Sequence, residues 1–304
     1  MSQNVRAVID IGTNSAILLI ADVNKLSAPL YEETVITRLG EGLGRTGRFL
    51  PEALQRNLDC LKHYKSKCDE FAVNEIRAVS TSAARDALNT AEFLAVVKRE
   101  TNIDIKVLSG EQEASYSFFG GIPEGVNKEN LAMIDIGGGS TEIVSLGENG
   151  NLNKVSLQLG GVRCLERFLH SDPPTKTEIQ KLEDEILSQL ESLQFNIESK
   201  TFFGVGGTFT ALARVKKKLS CFDKTAIHNS ILSFNEIKNL REQFASCSLS
   251  ERKKIPGMEE KRADILLAGT TILYKVLEHF SAMNLIVSAN GLRYGVFEDA
   301  EYYN

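Results

Sequence analysis

Residues 7–20 read AVIDIGTNSAILLI, and residues 132–146 read AMIDIGGGSTEIVSL. Aligned on their aspartates, Asp10 falls on Asp135, Gly12 on Gly137 and Ser15 on Ser140. Each copy is an apolar strand, an Asp, a turn rich in Gly and hydroxyl side chains, and a second apolar strand. Such a run makes a β-hairpin whose tip offers backbone N–H groups to an anion. One copy alone reads equally well as a tight turn. Two copies sharing an Asp predict two lobes that face each other across a phosphate site. The candidate phosphate-binding positions are Gly12, Thr13, Asn14 and Ser15 in the first loop, and Gly137, Gly138, Gly139, Ser140 and Thr141 in the second. Asp10 and Asp135 cannot usefully touch phosphate, because like charges repel. They suit a Mg²⁺ ion, held directly or through water.

Bulk properties narrow the classes. A length of 304 residues suggests two domains of ordinary size. A hydrophobic share of 42% and a charged share of 25% belong to a globular enzyme. The formal net charge of −5 argues against nucleic-acid or membrane partners, while leaving room for local Lys and Arg around a phosphate. No apolar run reaches membrane-spanning length, and no signal-peptide core precedes the first strand. Five cysteines without a CxxC pair read as reduced thiols of a cytoplasmic protein.

A pass along the chain predicts strands at 5–10, 16–21 and 34–38, a helix from Pro51, a strand at 75–79, a helix at 91–100, a strand at 104–108 and a helix from 111. The second half predicts strands at 131–135, 141–146 and 154–158, helices over 162–169 and 177–198, a strand at 202–205, a helix at 263–279, a strand at 284–288 and a final helix. Thr177 with Gln180 is the expected capping box of the 177–198 helix. The order βββαβαβα therefore occurs twice. The boundary is expected in the Gly- and polar-rich stretch 120–130. This places an N-terminal domain at 1–124, with helix 294–304 packed back on it, and a C-terminal domain at 125–304.

A duplicated βββαβαβα unit resembles the actin-like (ribonuclease H-like) superfamily of acetate and sugar kinases, heat-shock chaperone ATPases and actin. The implied fold is α/β, two actin-like domains with an interdomain cleft. Further stretches narrow the resemblance: RLGEGLG at 38–44, STSAARDA at 80–87, VLSGEQEA at 107–114, GVGGT at 204–208, IPGMEEKRADILLAG at 255–269 and GLRYG at 291–295. Together and in this order they closely resemble the exopolyphosphatase / guanosine pentaphosphate phosphohydrolase family, across nearly the whole chain.

The resemblance implies roles. Glu113 maps to the general base that orients a water behind the terminal phosphorus and takes its proton. Glu111 reads as an ordinary acid at a helix N-terminus. Arg85 follows a strand at the sheet edge where α/β proteins bind ligands, and its planar guanidinium suits phosphate; otherwise it is a helix-surface ion pair. Glu142 joins the acidic metal set, or is an exposed strand residue. Gly206, Gly207 and Thr208 border the far end of the substrate, or form a tight strand–helix turn. Arg262 and Arg293 are each a further phosphate contact or a structural arginine at the lobe interface. Arg214 and Lys216–Lys218 extend an anion track or coat a solvated helix face.

The implied reaction releases terminal phosphate from polyphosphate or guanosine pentaphosphate with Mg²⁺. The chain lacks the C-terminal helical region of longer members, which leaves processivity and homodimer formation open. An ATP-dependent kinase of the same fold and a low-turnover guanosine tetra- or pentaphosphate-binding protein are the alternatives.

Overall fold

In the computed structural model, residues 4–126, 131–147, 150–193, 197 and 201–302 are described. The chain divides into two compact units, Met1–Gly120 with Leu292–Asn304, and Gly121–Gly291.

The first unit is built on a five-stranded sheet of β1 (Val5–Ile11), β2 (Ser15–Asp22), β3 (Tyr31–Ile36), β4 (Glu75–Ser80) and β5 (Ile105–Val107), in the order β3-β2-β1-β4-β5. The hairpins β1–β2 and β2–β3 are antiparallel; β4 lies parallel to both β1 and β5. Side chains of β1 alternate between the two faces. Ala7, Ile9 and Ile11 meet Leu61, Tyr64 and Cys68 of the Pro51–Glu70 helix and Phe93 and Val97 of the Thr90–Thr101 helix. Val8 faces the other way and joins Leu19, Val79 and Leu108 against Leu292, Val296, Phe297 and Tyr302. Buried Arg77 ties this last segment down. It donates to the Val296 carbonyl at 2.8 Å while Glu75 balances its charge at 2.7 Å. The Tyr302 hydroxyl donates to the Ala78 carbonyl at 2.8 Å.

The third strand begins three residues before the predicted start and ends at Ile36. It is an edge strand of polar and β-branched residues, so alternation marks it weakly. Residues 37–40 leave the sheet to fold over the β1–β2 tip.

The second unit repeats the plan with β6 (Leu131–Ile136), β7 (Thr141–Leu146), β8 (Leu152–Leu157), β9 (Thr201–Val205) and β11 (Asn284–Val287). A short antiparallel strand, β10 (Ile231–Ser233), adds a sixth member, giving the order β10-β11-β9-β6-β7-β8. β10 is three residues long and escapes a periodicity reading. The Leu266–His279 helix is buried on nearly every face and forms the centre of this core with Ile134, Ile143, Leu182, Ile186, Phe209 and Phe244. The predicted α/β class and doubled βββαβαβα order are those of the structure. Among the described residues, no helix is long and apolar enough to cross a membrane. All five cysteines are free.

The expected capping box is displaced. The cap is Thr175 with Glu178, and the helix runs Lys176–Glu191. Thr175 directly follows Pro173 and Pro174, whose missing N–H groups and fixed φ favour a start at the first residue that can cap. The predicted 192–198 extension is not helical at Ser192 and Leu193; residues 194–196 and 198 lie outside the described set. The helix expected from 263 begins at Leu266, after a single 3₁₀ turn at Glu260–Arg262.

Glu178 accepts the backbone N–H groups of Thr175 at 2.7 Å, His170 at 2.9 Å and Ser171 at 3.0 Å. These bonds, that from Thr175 foremost, hold its carboxyl down to about 2 against an ordinary 4.5. A carboxylate with a lowered folded value stabilises fully above its unfolded value and loses that contribution as pH falls towards 2. Glu178→Ala should therefore lower stability by about 1 kcal/mol at pH 7. The deficit should shrink below pH 4.5 and be gone near pH 2. Circular-dichroism melts across this range check it; a deficit independent of pH would contradict the assignment.

Candidate active site

The first hairpin tip is a two-residue loop, Thr13–Asn14, closed by the Gly12 N–H donating to the Ser15 carbonyl at 2.9 Å. The segment after β3 folds over its back. Gly40 N–H donates to the Thr13 carbonyl at 2.9 Å, and the N–H groups of Thr37 and Arg38 donate to the Asn14 carbonyl at 3.1 and 2.9 Å. A β-carbon on Gly40 would collide with the Thr13 methyl. Across a planar trans peptide the N–H points opposite to the C=O. Fixing these carbonyls therefore turns the N–H of Asn14 to the side away from the 37–40 segment. Asn14 is only 5% exposed, and both polar atoms of its amide are buried without a partner. Buried amide groups are rarely left unpaired, and the exceptions need a reason.

The carboxyl ends of the parallel strands are stitched level beside this tip. Ser80 Oγ donates to the Ile11 carbonyl at 2.8 Å, and Leu108 N–H donates to the Ser80 carbonyl at 2.9 Å. Arg85, on the short Ser82–Asp86 helix after β4, reaches across to β5. Its Nη1 donates to the Leu108 carbonyl at 2.9 Å and to Glu113 Oε2 at 2.7 Å. Glu113 is 9% exposed, in the first turn of the Gly110–Gly121 helix, whose start is closed by reciprocal Ser109 and Gln112 bonds. Glu111 is exposed on the same turn. Arg85 Nη2 is buried with no acceptor. The pair assigned separately from sequence is thus one unit: a carboxylate held by a guanidinium that still has a donor to give. Arg293 lies elsewhere, donating from Nε to Glu32 at 2.7 Å.

The second tip, Gly138–Gly139, is closed the same way by Gly137 N–H to the Ser140 carbonyl at 3.0 Å. Its backing segment is 160–163. Gly161 N–H donates to the Gly137 carbonyl at 2.9 Å, and Val162 and Arg163 N–H donate to the Gly138 carbonyl at 2.9 and 3.0 Å. Arg163 Nε donates to the Gly139 carbonyl at 2.6 Å. Ser140 is buried. Thr141 is buried too, its hydroxyl donating to the Leu159 carbonyl at 2.7 Å, so it braces the hairpin.

Asp135 and Glu142 stand directly opposite each other in the β6–β7 register, on one face of the sheet. Glu142 is 1% exposed and accepts from Ser156 Oγ at 2.7 Å, so it is no surface strand residue. In the first copy Ile17 stands opposite Asp10, so the acidic pair belongs to the second copy alone. A β-carbon on Gly206 would stand 2.8 Å from Asp135 Oδ1, and one on Gly207 would overlap the Arg262 guanidinium. Thr208 Oγ lies 3.4 Å from the Ile136 carbonyl. Asp135, Gly206, Gly207, Thr208 and Arg262 thus form one cluster where β6 and β9 end. Arg262, held by Glu259 at 2.9 Å, sits at the N-terminus of the Gly207–Lys217 helix. A cation at the positive end of a helix is opposed by the macrodipole, a cost that the Glu259 carboxylate offsets. Arg214 and Lys216 instead finish that helix, donating to the Leu219, Ser220 and Ile231 carbonyls.

Among the described residues, no three His, Cys, Asp or Glu side chains gather as a complete metal cage. Two adjacent carboxylates fit Mg²⁺, which keeps several of its waters and takes few protein ligands.

Residues 19–303 match the Ppx/GppA phosphatase family. The chain belongs to that family. Its relatives include Exopolyphosphatase 2 of Mycobacterium tuberculosis, 34% identical over 88% of each chain. A bifunctional 3-dehydroquinate synthase/phosphatase of Fusobacterium nucleatum is 35% identical over 94% of this chain and 45% of its own length, so the chain spans less than half of that relative. The crystal structure of the Aquifex aeolicus Ppx/GppA family member superposes with a TM-score of 0.79 at 35% identity, covering 97% of this chain and 96% of the other.

Within this Ppx/GppA chain a second internal repeat emerges. Leu39–Gly40 and Leu159–Gly160 each follow the third strand, each Leu is buried, and each Gly presses on the matching tip residue, Thr13 or Gly138. A Leu-Gly step shortly after the third strand of each unit was the available signal for the backing segments. Gly160 supplies a test, because a β-carbon there would stand 2.5 Å from the Gly138 carbonyl. Gly160→Ala should displace the second tip, lowering stability by about 1–3 kcal/mol and phosphatase activity at least tenfold. Melting and initial-rate measurements check this, and an unaltered rate would argue against the role of the backing segment.

Proposed function

We propose that this chain removes the terminal phosphate from a polyphosphate chain or from the 5′-triphosphate end of guanosine pentaphosphate by in-line attack of water. Membership of a phosphatase family and resemblance to an exopolyphosphatase support hydrolysis as the reaction class. The observation that carries the assignment of residues is the Arg85–Glu113 pair, with Arg85 Nη2 buried and lacking an acceptor. A phosphate oxygen supplies the missing acceptor. In drawing Arg85 towards the anion, it leaves Glu113 with more negative charge to orient a water and accept its proton. Within each unit the hairpin tip offers backbone donors, and in the second unit Arg262 with the Gly207–Lys217 helix start offers a further anion site. Asp135 and Glu142 would hold Mg²⁺. When bound, the ion would neutralise charge on the phosphate oxygens.

The test is phosphate release from the purified protein with Mg²⁺, comparing polyphosphates of several lengths, guanosine pentaphosphate and ATP. Glu113→Gln should lower kcat at least about a hundredfold with little change in KM. Arg85→Met should lower kcat/KM by about 10- to 100-fold. Absence of phosphate release by the unaltered protein from every anhydride would sink the reading, and wild-type turnover by Glu113→Gln would remove that residue from its role.

A further inference from the structure

The two tips are held differently. In the first, the Asn14 carbonyl is held by backbone N–H groups alone, and neither loop residue is glycine. In the second, both loop residues, Gly138 and Gly139, are glycines, and the last carbonyl accepts from a guanidinium at 2.6 Å. Glycine populates positive and negative φ with nearly equal ease, so a run of them resists peptide rotation weakly. A rotated Gly139–Ser140 peptide would aim a carbonyl oxygen where the N–H had pointed and would repel an anion. The backbone N–H groups of Gly161, Val162 and Arg163 restrain the two preceding peptides; the Arg163 side chain restrains this one.

We infer that Arg163 is a positioning residue for phosphate, acting through the tip: its Nε holds the Gly139 carbonyl turned back, so that the Ser140 N–H keeps its direction. The inference rests on the second tip being an anion site, as the proposed function has it. A side chain on the helix behind the tip thereby sets substrate affinity.

Arg163→Met and Arg163→Lys separate this role from simple support. The lysine ammonium can still donate to a carbonyl, whereas methionine fills similar space without a donor. Arg163→Met should raise KM for polyphosphate about 10- to 100-fold, more than it lowers kcat, with melting within a few degrees of the unaltered protein. Arg163→Lys should restore KM to within about threefold. In ¹⁵N-labelled protein, inorganic phosphate should shift the amide signals of Gly139 and Ser140, and Arg163→Met should abolish the Ser140 shift. Unchanged KM in Arg163→Met, equal damage in both variants, or a Ser140 response that survives the methionine would each overturn the inference. The amide titration requires no turnover, so a protein that releases no phosphate would count against the proposed activity while Arg163 is still decided by the spectra.

Discussion

Carbonyl oxygens are the constraint on which the rest depends. A hairpin tip can welcome an anion only if its own acceptors are turned elsewhere, and a two-residue loop cannot arrange that by itself. Here each tip is backed by the chain that follows its third strand, with Gly40 and Gly160 small enough to let the backbones touch. The sheets matter because they deliver these backing segments: β3 and β8 end on the same side as the tips they cover. Strand order, the Leu-Gly steps and the tip donors are therefore one device used in both units.

Electrostatics then separates the copies. The first unit places a guanidinium and a carboxylate in contact at the ends of β4 and β5, while the second places two carboxylates side by side at the ends of β6 and β7. In the matching register Ile17 stands where the second copy has Glu142, so only the second tip has two carboxylates facing each other beside it. The duplicated scaffold thus carries a guanidinium–carboxylate contact in one unit and two facing carboxylates in the other.

Much of this was legible in the chain itself, and the reasons are physical. The hairpins were visible because apolar strands flank a turn whose residues have few other uses. The Pro51–Glu70 helix was visible through its proline start and the spacing of Leu54, Leu58 and Leu61. Glu113 and Arg85 could each be singled out, yet their contact could not, since it spans 28 residues and depends on β4 and β5 pairing in one register. Arg163 was passed over because an arginine on an amphipathic helix gives no outward sign that it points back at a loop. Thr141 was singled out as a hydroxyl beside glycines; its bond to the Leu159 carbonyl, 18 residues on, could not be read from the sequence because it depends on where the chain runs after β8. The capping box was misplaced by two residues because Thr175 and Thr177 compete, and the acid at Glu178 settles the matter.

The way the last residues complete the first unit also bears on how the protein is made. One face of the first sheet, with Val8, Leu19 and Val79, is covered by side chains from 292–302. During synthesis that greasy surface stays uncovered until most of the polypeptide has left the ribosome, whereas the intervening unit already contains everything its own core requires. The order of assembly thus inverts the order of translation: the segment made first is the last to be finished, and a nascent chain stalled before residue 292 displays a sticky sheet to the folding helpers of the cell.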